Sequence, residues 1–319
     1  MIKRDSILVR SIQVRFVTFV RSSYSFIGLL IVILFFTVAT NGDILGSRNL
    51  MNIFNNTFSI GLGAMGIMFL MSLGELDLSV GAIAGISAAL AALAAQISTA
   101  FILPVAIVTG FAVGSVNGLL ISRLRIGSFI GTLAMSFVIR GVTIWLLDGS
   151  VGIPMSQRFY DQDFIKITVF VVLLIGLFIL YEYKPFGKHC RAIGASDNAA
   201  RQSGVRVERV RTLAFMISGV MCGLVGFFSL VRTLTASSRT GSAYEFDVLL
   251  AVLLGGMSLT GGWVVKFRAA VLGSITMAFL KNGMSLMGID GLTQQLIQGV
   301  LLIIIVSITF NRKSAGIIR

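Results

Sequence analysis

Two carboxylates set inside an apolar stretch are the first residues of this chain that could do chemistry. Glu75 and Asp77 lie in LGELDLSVGAIAG, residues 73–85, with long hydrophobic runs on both sides and almost no linker. A charged side chain facing lipid costs on the order of 3 kcal/mol at a helix centre, so the pair needs a special environment. Three readings are open. The segment is a tight turn at the membrane surface, or a structural break at which Asp77 and Ser79 cap the following half-helix. Alternatively it lines a gate or cavity, because unwound backbone is tolerated there. A second break, GGMSLTGG at 255–262, holds Gly255, Gly256, Ser258, Gly261 and Gly262. It repeats the serine, leucine and glycine grouping that ends in Gly81, about 180 residues earlier, as paired irregular segments of transporters do. Two related halves would produce that spacing, and so would chance likeness between glycine-rich turns.

Other reactive groups are sparse. The chain has one histidine, His189, and two cysteines, Cys190 and Cys222. No GxxxxGK[ST], HExxH or serine elbow occurs, and two separated cysteines make neither a disulfide framework nor a metal cluster. The expectation is no enzyme, no metal and no cofactor bound by this chain. If it transports actively, the energy comes from an ion gradient, with Glu75 and Asp77 as carriers, or from another subunit. Polar residues within apolar blocks are Asn117, Arg140, Asn282, Gln294, Gln295 and Gln298. They serve as hydrogen-bonding glue between helices or touch a solute. Gln294 and Gln298 share a helical face. Arg140 is a fixed charge near the outer mouth or a snorkelling side chain. Phe137, like Phe129, Trp145, Phe227 and Phe228, stacks on a ring or simply packs. The solute-path candidates are Asn117, Phe137, Arg140, Gln294 and Gln298.

The elements that must position these residues are membrane helices. Of 319 residues 56% are hydrophobic and only 12% are charged, against about 25% charged in soluble domains. The apolar residues come in blocks of roughly 18–25, the length of a spanning helix, without the alternation of a barrel strand. The fold class is therefore all-α, a polytopic membrane protein of about ten transmembrane helices with some broken ones, forming a single domain over 1–319. The expected spans are 24–40, 57–74, 78–96, 101–121, 126–147, 164–181, 212–232, 244–260, 267–283 and 291–310. The net charge of +13 sits between the blocks and on the tails, which is the positive-inside pattern and not a nucleic-acid surface. It puts both termini in the cytosol, and leaves Arg48, Arg158, Arg239 and the loop 148–163 outside. Glycines four residues apart, Gly110, Gly114 and Gly118, Gly81 and Gly85, Gly127 and Gly131, Gly219 and Gly223, predict close helix packing.

The longest hydrophilic stretch is 183–211. Ser196 is placed to cap a two-turn helix at its start and Gly204 at its end. So short a helix holds its shape only against the membrane domain or a partner, or by lying in the interface plane.

Three motifs, GELDLSVG at 74–81, RAIGASDNAARQSGV at 191–205 and FDVLLAVLLGGMSLTGG at 246–262, together resemble the permease subunits of bacterial ABC importers for ribose and similar monosaccharides. The resemblance covers about residues 55 to 310. It implies a bacterial inner-membrane protein that pairs with a second permease chain, a cytosolic ATPase that holds ATP and magnesium, and an extracytoplasmic sugar-binding protein. It also implies that the helix at about 195–204 is the coupling helix, with Gly194, Ser196, Asp197, Ala199, Ala200 and Gly204 as its contact residues. The chain departs from the family at Glu75, where a glycine is common, at Trp263–Lys266, and mildly at Asp197, where glutamate is common. A nucleoside or other small polar solute is the alternative cargo.

Overall fold

The computed structural model describes residues 25–309 other than 148, 258 and 260. The basic tails and Ser258 of the second break lie outside the described residues. Helices run Ser25–Ala39 (α1), Ser47–Leu73 (α2), Val80–Ala95 (α3), Ile102–Leu124 (α4), Ser128–Leu146 (α5), Asp163–Phe178 (α6), Pro185–Ala195 (α7), Asp197–Gln202 (α8), Val207–Thr233 (α9), Tyr244–Leu254 (α10), Phe267–Leu286 (α11) and Gly291–Thr309 (α12). A single π turn, Ile179–Tyr183, extends α6. Among the described residues six helices (α2, α4, α5, α6, α9 and α11) are long and apolar enough to cross a membrane, and α1, α3 and α12 are shorter apolar helices. The chain is thus an all-α multi-pass membrane protein.

The expected span over 244–260 does not form as one helix. At 11 residues α10 rises about 16 Å, half of a hydrocarbon core of roughly 30 Å. Glycines end it: Gly255 packs on the Ala269 carbonyl, where a Cβ would overlap, and Gly256 has φ +94°. Before it, the turn 238–243 lays the Thr240 and Gly241 backbone against Gly81 and Gly85 of α3, so that this pass is half turn and half helix. The first break is its counterpart. Residues 74–79 are non-helical, and α3 starts only at Val80.

Two helices, α2 and α9, form the centre, with 83% and 72% of their apolar windows buried, whereas α5 and α6 bury only 22% and 11% and so present their sides to lipid or another chain. The glycine spacing explains the tightest contact. Gly110, Gly114 and Gly118 of α4 meet Phe215, Gly219, Gly223 and Thr212 of α9 backbone to backbone, where any Cβ would overlap. Gly81 and Gly85 do the same against Gly241 and Thr240. Gly127 and Gly131 do not. Gly127 has nothing within 4 Å, and Gly131, in the first turn of α5, meets the side chains of Ile126 and of Ile121 on α4 instead of a helix backbone. A two-stranded antiparallel ribbon, Ser150–Gly152 (β1) with Thr235–Ser237 (β2), closes one end of the bundle. The opposite, basic end carries α7 and α8.

Candidate functional site

At the basic end both breaks and α7 meet in one junction. Proline at its first turn starts α7, which packs its far end on the chain itself. A Cβ on Gly194 would overlap the Ser72 carbonyl and the Gly262 amide. Gly261, at φ +74°, lies on the backbone of Gly74, and Gly262, at φ +82°, touches Ala195. Only glycine adopts these left-handed conformations without cost. The Tyr181 hydroxyl ties the two breaks together: it bonds the Ser72 hydroxyl at 2.7 Å and donates to the Val265 carbonyl at 2.8 Å. Arg191 completes the knot, pairing with Glu182 at 2.9 Å, donating to the Tyr181 carbonyl, and stacking over Tyr181 and Trp263. Cys190 is buried beneath it, and burial pushes its thiol up to about 12.

From this junction α8 projects as an exposed, capped turn. The Ser196 hydroxyl accepts from the Ala199 amide at 3.3 Å. Gly204, at φ +83°, ends the helix, with the Val205 amide bonded to the Ala200 carbonyl. The small residues face two ways. Gly194 and Ala200 are used against the chain's own bundle, while Ala199 and Asn198 face outward. Asp197 pairs with Arg201 inside the same helix at 3.4 Å, and Arg201 also pairs with Glu208.

Deeper in the bundle the N-termini of α3 and α10 come together. The Glu245 carboxylate lies over Gly81, in the first turn of α3, and bonds Arg140 of α5 at 3.0 and 3.1 Å. Asp247, two residues on, pairs with Lys281 of α11 at 2.5 Å. Asp77 is 2% exposed. Its Oδ1 accepts from the Ser79 amide at 2.8 Å and the Ser79 hydroxyl at 2.5 Å, and Asn117 donates to that hydroxyl at 2.8 Å. Ser79 therefore does not cap α3 with its side chain; Asp77 holds it instead. Three acidic residues thus occupy two inward helix N-termini, where the backbone dipole favours negative charge. Glu75 sits outside this cluster, paired with Arg211 of α9 at 2.7 Å.

The solute-path candidates separate. Arg140 and Asn117 reach the interior cluster, but Phe137 is 69% exposed on the flank of α5. Gln294 bonds the Ile289 carbonyl at 2.8 Å and the Ser285 hydroxyl at 3.1 Å, a local role at the start of α12. Gln298 is buried farther along that helix. Sequence reading missed Glu245, Asp247 and Lys281. Their one signal is the presence of charges in an otherwise apolar block. It likewise missed Lys166, buried among Asn55, Asp161 and Asp163.

The chain matches, over residues 49–306, the family model described as branched-chain amino acid transport system / permease component. It is similar to the ribose import permease protein of Bacillus subtilis, 32% identical with 91% of this chain and 92% of the relative covered. The xylose transport system permease protein of Haemophilus influenzae is 29% identical, with 90% and 96% covered. The L-arabinose ABC transporter permease protein of Azospirillum brasilense is 32% identical, with 90% and 87% covered. No solved structure matches the chain.

Proposed function

The chain belongs to the permease-component family of these transport systems, and from that membership we propose that it is the membrane-spanning permease subunit of an ATP-driven importer for a monosaccharide. It is a transport subunit and not an enzyme. ATP and magnesium bind a separate cytosolic ATPase, a second permease chain completes the path, and an extracytoplasmic binding protein delivers the solute. The basic end faces the cytosol of a bacterial inner membrane, by the positive-inside rule.

One observation carries the mechanism. The exposed helix α8 stands on α7, whose Gly194 rests on Ser72 and Gly262, at both helix breaks. An ATPase that moves α8 moves both breaks together. This supports α8, with Ser196, Asp197, Ala199 and Gly204 outward and Gly194 and Ala200 as its footing, as the coupling helix. The breaks around Glu75–Gly81 and Gly255–Gly262 are then the moving parts of alternating access. Within the family, whose description names amino acids, the interior chemistry favours a sugar. Half-helix N-termini in transporters commonly attract an anionic group of the solute. Here Asp77, Glu245 and Asp247 already occupy them, with Arg140 and Lys281 engaged by Glu245 and Asp247, which disfavours a carboxylate and suits a neutral, hydroxyl-rich solute.

The test is reconstitution with the cognate ATPase and binding protein. ATP-dependent uptake of labelled ribose, xylose or arabinose is expected. Ala199→Glu, on the exposed face, abolishes ATPase retention while the chain stays folded. A stable complex in that variant would overturn the coupling assignment. Uptake that follows an ion gradient without ATPase would overturn the importer.

A further inference from the structure

Beside the coupling region, α4 and α9 leave a groove of ≈ 520 Å³ at the basic end. Its two halves differ in chemistry. Toward the bundle it is walled by Leu119, Leu213 and Met216; toward the end it is walled by Arg123, Arg206 and Arg209. Helical spacing builds this division. Arg209, Leu213 and Met216 fall on one face of α9, Arg206 stands at its N-cap, and Leu119 and Arg123 stand one turn apart on α4. The floor is fixed, since the Thr212 hydroxyl meets that of Ser122 at 2.9 Å and Gly118 packs against Thr212. The three arginines are exposed, and among the described residues none has a carboxylate within ion-pair distance. Glu208, which also borders the groove, is committed to Arg201.

We propose that this groove binds one anionic phospholipid, its phosphate held by Arg123, Arg206 and Arg209 and an acyl chain laid along Leu119, Leu213 and Met216. A free phosphate would use only the basic half. The apolar wall, with Leu213 48% and Leu119 41% exposed, selects a ligand with a hydrocarbon tail. Arginines between helices at a membrane boundary match an anionic headgroup. Uncompensated charges beside α8 also place the lipid where it could steady the coupling helix through Arg201 and Glu208. The proposal rests on the groove alone and not on the transported solute.

Native mass spectrometry of the full chain, delipidated and then given phosphatidylglycerol or phosphatidylcholine of equal chain length, tests it. One phosphatidylglycerol per chain is expected in preference to phosphatidylcholine. The variant Arg123→Gln/Arg206→Gln/Arg209→Gln is expected to bind it on the order of 100-fold more weakly, each cation near an anionic lipid being worth about fivefold. Arg48→Gln/Arg158→Gln/Arg239→Gln, at the other end, leaves binding unchanged. Leu213→Asp, which keeps all three arginines, also loses the lipid. Equal retention of both lipids, or retention by the triple groove variant, overturns the proposal. So does displacement of the lipid by excess inorganic phosphate, which would mark a simple anion site. If the triple variant keeps the lipid but loses the ATPase, the arginines serve a protein partner instead and the proposal fails.

Discussion

At Gly194 the absence of a side chain sets how closely α7 approaches the carbonyl of Ser72. Even a methyl group must displace backbone there, so Gly194→Ala is expected to cost about 1–3 kcal/mol. Gly204 is the contrast: nothing lies within 4 Å of its Cβ position, and only its φ of +83° opposes a side chain. Gly204→Ala is expected to cost about 1 kcal/mol. Thermal midpoints of the purified chain would rank the two, and a smaller loss for Gly194→Ala than for Gly204→Ala would refute the packing at Gly194. The Arg140–Glu245 pair is the second test at this scale, with side chains 24% and 13% exposed. Removing one member leaves a charge without its partner in a partly dry site. After allowing for solvent screening, Arg140→Gln or Glu245→Gln is expected to lose roughly 1–2 kcal/mol, and the double variant less than the sum. Strict additivity in a double-mutant cycle would show that the two do not interact.

The helix α12 shows what an end cap contributes. Asp290 precedes it and accepts from the Leu292 and Thr293 amides at 2.9 and 3.1 Å and from the Thr293 hydroxyl at 2.6 Å. The Thr293 hydroxyl, helped by these amides, holds the Asp290 carboxyl below the usual aspartate range. A carboxyl lowered on folding stabilises above its unfolded value and loses that contribution as pH falls through the lowered value. The midpoint difference between wild type and Asp290→Ala is therefore expected to be constant at neutral pH and to shrink only in acid. A difference independent of pH would exclude the carboxylate as its source. The other elements divide by how local their causes are. Apolar blocks and the glycine steps in α4 and α9 were readable in the sequence because hydropathy and spacing act within one helix. So were the two breaks and the serine and glycine that bound α8. The shortness of α10 was not: an apolar block and the break at its end overlap over 244–260, and the packing of Gly255 on Ala269 together with the positive φ of Gly256 decides that the helix stops at Leu254. Nor could Glu245 be matched to Arg140, 105 residues away, since partner choice across a bundle is decided by tertiary contact.

Across the whole molecule, the question is whether motion at α8 reaches the bundle as a push or is absorbed in a hinge. The junction has little room for a hinge. Gly194 sits on Ser72 and Gly262, Gly261 sits on Gly74, and the Tyr181 hydroxyl joins the end of α2 to Val265 in the segment before α11. Such a knot moves as one body, so Cys190 beneath it should stay protected throughout turnover. With burial lifting its thiol to about 12, little thiolate is present near neutrality, and the thiolate is the form that reacts. Maleimide labelling of Cys190 in the assembled transporter is expected to be slow with and without ATP, and fast only on unfolding. Tyr181→Phe removes the hydroxyl and leaves the ring, at a cost of about 1–3 kcal/mol for the partners left unbonded. On the proposed coupling role, α8 in that variant still engages the ATPase, but its displacement is no longer shared by both breaks. ATP hydrolysis should therefore persist while sugar uptake falls, and Cys190 should become reactive during turnover. If uptake and hydrolysis instead fell together with Cys190 still protected, the hydroxyl would be a stabilising contact only, and force would have to reach the breaks through α9.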